Sequence, residues 1–389
     1  MKHVLWMSIA TASIALMTNV PASMQSSTAA DCSTITAANS DDCLRLNQIQ
    51  VLGTHNSYHV AGTPAMQAAL GERARNLDYT HRPLAEQLTA LNIRKFELDV
   101  FADPDGGRFA SPAALKTITG LEPPGSEMRA PGFKVLHVPD VDFRTTCATL
   151  TRCLTIIRDW SRANPAHVPI MIMIEAKDQP LDDPDGRGYV KPLPIDAAAF
   201  RALDREIRSV FAGDHLITPD RVRGAHQTLA AAVQKDGWPT LRASRGKVMF
   251  ALDNTDHHRD SYLEGNPSLE GRVLFVSSTP GDPWAAFMKM NEALGGDEER
   301  IRQMVKSGYL VRTRSDIPNE EARSGSTTRR DSAFRSGAQF VSTDYPEPSP
   351  FGSGYRAFLP GAEKGAARCN PVTAPPGCRN DWLEPRPSR

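Results

Sequence analysis

Short apolar runs recur along the chain at 48–54 (QIQVLGT), 93–101 (IRKFELDVF), 133–138 (FKVLHV) and 168–176 (VPIMIMIEA). Four more follow at 247–253 (KVMFALD), 272–278 (RVLFVSS), 309–313 (YLVRT) and 338–343 (AQFVST). Between most of these runs the apolar positions change to a helical period. Leu84, Leu88 and Leu91 share one face over 82–91, and similar stripes cover 147–163, 197–211 and 298–306. Strand and helix alternating eight times predicts an α/β fold, a (β/α)8 TIM barrel in one domain, with loop insertions at 106–131 and 178–194. A doubly wound open sheet is the rival, but no G-x-G-x-x-G turn follows the first strand. The expected layout is a leader over 1–22, an N-terminal extension over 23–46 and the barrel over 47–345. A Pro- and Gly-rich tail over 346–389 packs on the barrel.

The first residues read as an export signal. Met1, Lys2 and His3 make a basic start, an apolar stretch covers 4–17, and Val20-Pro21-Ala22 offers small residues at the cleavage spacing. A second possible cut follows Ala30. The apolar stretch is short for a membrane span and carries Ser and Thr. Cys32, Cys43, Cys147, Cys153, Cys369 and Cys378 form three pairs of near neighbours in sequence, so the expected disulfides are Cys32–Cys43, Cys147–Cys153 and Cys369–Cys378. A periplasmic or secreted protein follows. The chain has 45 basic and 45 acidic residues. That balance excludes the basic excess of a nucleic-acid binder and the basic block of an electrostatic membrane anchor. No transmembrane anchor is expected, and the chain is expected to act as a monomer.

Candidate chemistry stands where apolar strands end in residues they should avoid. The first strand ends in Gly53-Thr54-His55-Asn56-Ser57, and the second carries Glu97 and Asp99 two residues apart, hence on one face. His137 follows Val135-Leu136, and the fourth strand is apolar until Glu175, with Lys177 two residues on. Singly, each has a plain structural reading: Glu97 and Asp99 could pair with Arg94 and Lys95, and Glu175 with a neighbour. On four successive strands, charged groups at the mouth of an apolar sheet need partners or a metal to offset burial. Three carboxylates and an amide oxygen are hard donors, suited to Ca2+ or Mg2+ over zinc, and export favours Ca2+.

These residues, in this order and at these strand positions, resemble calcium-dependent phosphoinositide-specific phospholipase C of the compact exported bacterial type. The resemblance is specific over about Gly53 to Lys177. It implies a Ca2+ held by Asn56, Glu97, Asp99 and Glu175, with His55 and His137 flanking the phosphate of a phosphoinositide lipid at a membrane surface. The ring 2-hydroxyl would attack the phosphorus, giving diacylglycerol and a cyclic inositol phosphate that water later opens. His137 is the expected acid for the leaving oxygen. The base is a metal-bound carboxylate, with Glu97 favoured, or His55 itself. Lys177 and Arg312 are expected to read the inositol head. Arg314 stands where animal members have a tyrosine beneath the ring, and is a further candidate contact to the inositol head in its place.

The polar cluster 253–258 suggests a second metal site, but two adjacent histidines rarely face one ion, and a polar loop is the preferred reading. Trp284 is either an interfacial or a packing residue. Two other functions remain. A glycerophosphodiester phosphodiesterase also carries a strand-one His and E-x-D, yet it begins His-Arg-Gly, unlike His55-Asn56-Ser57 here. A non-catalytic protein binding a lipid or sugar phosphate through the metal would not need both histidines.

Overall fold

The computed structural model describes Met1 and residues 31–384. The leader expected over 1–22 and the alternative cut after Ala30 fall within 2–30, outside the described residues apart from Met1.

Eight parallel strands form a β/α barrel. They are β1 (Ile49–Thr54), β2 (Lys95–Phe101), β4 (Ile170–Ala176), β6 (Val248–Leu252), β7 (Leu274–Val276), β8 (Phe287–Lys289), β9 (Leu310–Arg314) and β10 (Phe340–Thr343). Pairing runs from β8 through β9, β10, β1, β2, β4 and β6 to β7. One bridge between Ser277 and Phe287 closes the ring, reinforced by Ser278 N–H donating to the Phe287 carbonyl at 3.0 Å. β5 (Leu216–Ile217) borders only the start of β6. The staves are Ile-, Val-, Met- and Phe-rich because both faces are covered, as parallel sheets require.

Two features differ from the sequence expectation. The run 133–138 is not a stave: only β3 (Lys134–Val135) is a strand, and it lies antiparallel on the end of β2. Asp140, at φ 70°, turns the chain back, and Val138 bridges to Asp142. The eighth stave is instead β8, three residues within Ala-Ala-Phe-Met-Lys. That segment has no β-branched residue, and its short length left no periodic signal. The connection from β7 to β8 contains no helix, so the alternation breaks once.

The helices otherwise match their apolar stripes. Leu150–Ala163 is capped by Thr149 and buries Leu150, Leu154 and Ile157 against the sheet; Ala197–Val210 is capped by Asp196 and buries Phe200, Leu203 and Ile207. The disulfides pair Cys32–Cys43, Cys147–Cys153 and Cys369–Cys378, as the spacing predicted. Beyond Tyr345 the chain wraps the barrel. Tyr355 donates to Asp316, β11 (Arg368–Cys369) runs antiparallel to β1, and Glu384 ion-pairs with Arg94. Among the described residues no helix is long and apolar enough to cross a membrane.

Candidate active site

The C-terminal ends of β1, β2, β4, β9 and β10 gather the charged side chains. β1 and β2 approach unusually closely at Gly53, opposite Lys95. A Cβ on Gly53 would lie 2.6 Å from the Lys95 Cβ, so only glycine fits. The next turn is stitched to β2. Ser57 N–H donates to the Glu97 carbonyl at 2.9 Å, and Glu97 N–H to Ser57 Oγ at 2.8 Å. Asn56 takes a left-handed conformation there, at φ 43°. Its Nδ2 donates to the Tyr79 hydroxyl at 2.9 Å.

Glu97 and Asp99 share the inner face of β2, and Asp99 sits in register with Glu175 across the β2–β4 pair. One oxygen from each of the three carboxylates falls within 4.8 Å of the others. Asn56 Oδ1 and Asp99 Oδ1 are buried and accept no hydrogen bond, and Asp99 Oδ2 meets only the Lys177 ammonium, at 3.2 Å. Buried acceptors without donors are rare and call for an explanation. A hard divalent cation supplies one, and an amide oxygen with three carboxylates is a donor set that fits it. Burial and neighbouring negative charge push Asp99 up to about 6 and Glu175 up to about 7, only partly opposed by Lys177.

Glu97 behaves differently. Burial disfavours its charge, but Arg312, 2.7 Å away, and Lys95, 2.5 Å away, hold it well below the usual carboxylate range. Arg312 completes its contacts with Ser342 at 3.0 Å and with Asn291. Lys95 itself is lowered to about 8 by burial. The pairings considered on sequence grounds are thus partly present, as Lys95–Glu97 and Lys177–Glu175.

Each candidate histidine is backed by an aspartate. His55 Nδ1 lies 2.8 Å from Asp344 Oδ1, while Arg314 approaches Nε2 at 3.4 Å and Asp344 Oδ2 at 3.0 Å. Arg314 can only donate, so Nε2 is the acceptor and Nδ1 carries the proton. Burial and the Arg314 charge lower the pKa of this ring, opposed by Asp344 and Glu97. His137 Nδ1 lies 2.7 Å from Asp142 Oδ2, which also accepts from His59 Nε2 at 2.8 Å. His59 in turn meets the Tyr79 carbonyl through Nδ1 and stacks on the Tyr79 ring at 4.3 Å. One chain of contacts therefore joins Asn56 to His137.

The structure brings together His55, Asn56, Glu97, Asp99, Glu175, Lys177, Arg312 and Arg314. His137 lines a cavity of about 300 Å³ beside Glu175 and Lys177. Arg312 is spent on Glu97; Arg314 stands next to His55. Asp344, Asp142, His59 and Tyr79 were not singled out from sequence. Asp344 directly follows the apolar end of β10, so the strand-end rule would have found it. Asp142 and His59 lie in loops with no period to mark them. Within 253–258, Asn254 hydrogen-bonds both backbone groups of Ala176, Asp253 pairs with Lys289 at 2.6 Å and Asp256 caps His257–Leu263, while His257 and His258 bring ligand atoms within 4.8 Å of Asp178. Trp284 packs against the core.

The family model for Ca2+-dependent phosphoinositide phospholipase C matches residues 44–371. The chain belongs to that family. This phospholipase C is therefore a calcium-dependent enzyme acting on phosphoinositides, as the carboxylate cluster and paired histidines had suggested. A calcium-dependent phosphoinositol-specific phospholipase C from a Gram-negative bacterium, Pseudomonas sp., superposes with a TM-score of 0.51 at 17% identity, covering 78% of this chain and 92% of that one. The myo-inositol complex of the Pseudomonas protein gives 0.51 at 18% identity, with 80% and 93% covered. At such identity these likenesses show the fold. No curated protein matches the chain. Three disulfides suit an oxidising extracellular or periplasmic compartment.

Proposed function

We propose that Asn56, Glu97, Asp99 and Glu175 hold the calcium, and that His55 and His137 carry the proton transfers of an internal attack. The observation that carries this reading is the convergence of Glu97, Asp99 and Glu175 within 4.8 Å of one another, with Asn56 Oδ1 and Asp99 Oδ1 buried and without a donor, and with two Asp-backed histidines nearby. Calcium held by these residues would supply Lewis-acid chemistry, neutralising phosphoryl charge and acidifying the ring 2-hydroxyl.

His55 Nε2, its lone pair presented by the Asp344 contact, takes the proton of the 2-hydroxyl. Glu97 is the poorer base, clamped by Lys95 and Arg312. The freed oxygen attacks phosphorus at the effective concentration of a group on the same ring. Arg314, beside His55, neutralises a phosphoryl oxygen as charge builds. His137, held by Asp142 through Nδ1, gives a proton from Nε2 to the departing diacylglycerol oxygen. The two histidines exchange roles when water opens the cyclic phosphate. Arg312 sets the floor of the inositol site through Glu97, and Lys177 stands at its edge.

The barrel over 47–345 is the catalytic unit, served by the tail 346–389. The leader 1–22 directs export to the periplasm or beyond, and the monomer works at a lipid surface. Activity is to be compared on phosphatidylinositol and on glycerophosphoinositol. Faster turnover of the lipid supports the reading; preference for the deacylated compound would assign a glycerophosphodiesterase instead. His137→Ala should lose about 10²–10⁴-fold in kcat while calcium binding persists. Unchanged turnover would remove its role.

A further inference from the structure

The ammonium of Lys177 stands where the carboxylates would draw a cation. Its Nζ lies 3.2 Å from Asp99 Oδ2 and 3.1 Å from Glu175 Oε1. These two carboxylates face each other across neighbouring strands, in direct register. Like charges so placed repel and destabilise the pair of strands that carries them. Lys95 and Arg312 answer Glu97 from the barrel side. Among the described residues Lys177 is the one that ion-pairs with Asp99 and Glu175.

A divalent ion and this ammonium compete for the same oxygens. Calcium takes 6–8 oxygens at about 2.3–2.6 Å, closer than an ammonium sits, and leaves it no room between the two carboxylates. The side chain is free to leave. The Lys177 backbone N–H is anchored on the Val100 carbonyl at 3.0 Å, whereas its side chain is 28% exposed. The cavity of about 300 Å³ opens next to it, bordered by His137, Gln179, Asn254 and His258.

We propose that Lys177 is a tethered counter-ion of the metal site. It holds Asp99 and Glu175 in the metal-free protein, is displaced by the divalent ion, and then offers its ammonium to the substrate phosphate from the adjoining cavity. This rests on the assignment of Asp99 and Glu175 as calcium ligands. A resident competitor weakens apparent calcium affinity by the factor by which the lysine-paired state outweighs the open one. It also spares the empty site the repulsion of two facing carboxylates.

The test is calorimetric titration of the lipid-free, full-length protein with calcium chloride, for wild type, Lys177→Met and Lys177→Arg. Melting with a chelator and with saturating calcium accompanies it. Lys177→Met should bind calcium about tenfold more tightly and melt lower with chelator but not with calcium. Lys177→Arg should stay near wild type, and the KM for phosphatidylinositol should rise in Lys177→Met at saturating calcium. If Lys177→Met does not fold without calcium, Lys177→Gln carries the same titration. Equal or weaker calcium binding without the ammonium would overturn the proposal, making Lys177 a permanent brace of the ligands. Absence of calcium binding in the wild type would instead defeat the ligand assignment beneath it.

Discussion

Asp344 serves two donors at once, and exchanging it for asparagine forces a choice between them. Its side chain is fully buried, with Oδ1 2.8 Å from His55 Nδ1 and Oδ2 3.0 Å from Arg314. Asparagine keeps the shape but offers one acceptor and one donor. If its oxygen turns to Arg314, its NH2 faces His55 Nδ1. The ring proton must then move to Nε2, the atom proposed as base. If its oxygen turns to His55, Arg314 loses its partner in a buried place, a change that costs about 3–5 kcal/mol. Loss of the correct tautomer at a backed histidine lowers kcat by about 10³–10⁴-fold. Initial rates on a short-chain phosphatidylinositol at saturating calcium, from pH 5.5 to 8.5, should therefore show Asp344→Asn reduced by about that factor. KM should change little. Retention of more than about a tenth of wild-type kcat would refute the claim that Asp344 fixes the His55 tautomer.

Gly53→Ala should destabilise the fold by about 1–3 kcal/mol in urea, because the added carbon meets Lys95 Cβ at 2.6 Å and the Lys95 carbonyl at 2.9 Å; an unchanged midpoint would contradict that packing. His167 and His81 are pulled down from 6.5 to about 4 by burial. A histidine lowered on folding stabilises the native state while neutral. The contribution is complete above about pH 6.5 and is lost as pH falls towards 4, and it is worth about 3 kcal/mol for each ring. Denaturation at pH 7 and pH 4.5 should show that loss, and His167→Gln should lessen it; parallel curves for wild type and variant would exclude His167 as a cause. Removing the Cys32–Cys43 bridge, which closes a separation of 11 residues, should lower stability by up to about 3 kcal/mol without altering kcat, as tested by Ser replacements; a matching loss of kcat would tie the extension to the site.

Much of the barrel was legible because parallel strands covered on both faces read as continuous apolar runs, and seven of the expected runs are staves. The error lies where local pattern and tertiary need diverge. Residues 133–138 look like a strand yet are reversed at Asp140, whereas Phe287–Lys289 owes its strand to partners on both sides. The site shows the same division. His55, Asn56, Glu97, Asp99 and Glu175 stand at the ends of strong strands, so the geometry of the sheet delivers them together. Asp142 and His59 come from loops whose course only the folded chain determines. Arg312 and Lys177 were recognisable as charged rim residues, but that Arg312 answers Glu97 and Lys177 also answers Asp99 depends on distances of a few ångströms between strands far apart in sequence.

The central claim is that calcium on Asn56, Glu97, Asp99 and Glu175 lets the ring hydroxyl displace diacylglycerol between His55 and His137. Phosphorus NMR of phosphatidylinositol turnover, followed from the first minutes with calcium and with a chelator, tests it most directly. The account predicts a cyclic inositol phosphate as the first product, converted later to the open phosphate, and no product while calcium is withheld. An open phosphate appearing first, or turnover that survives the chelator, would contradict it.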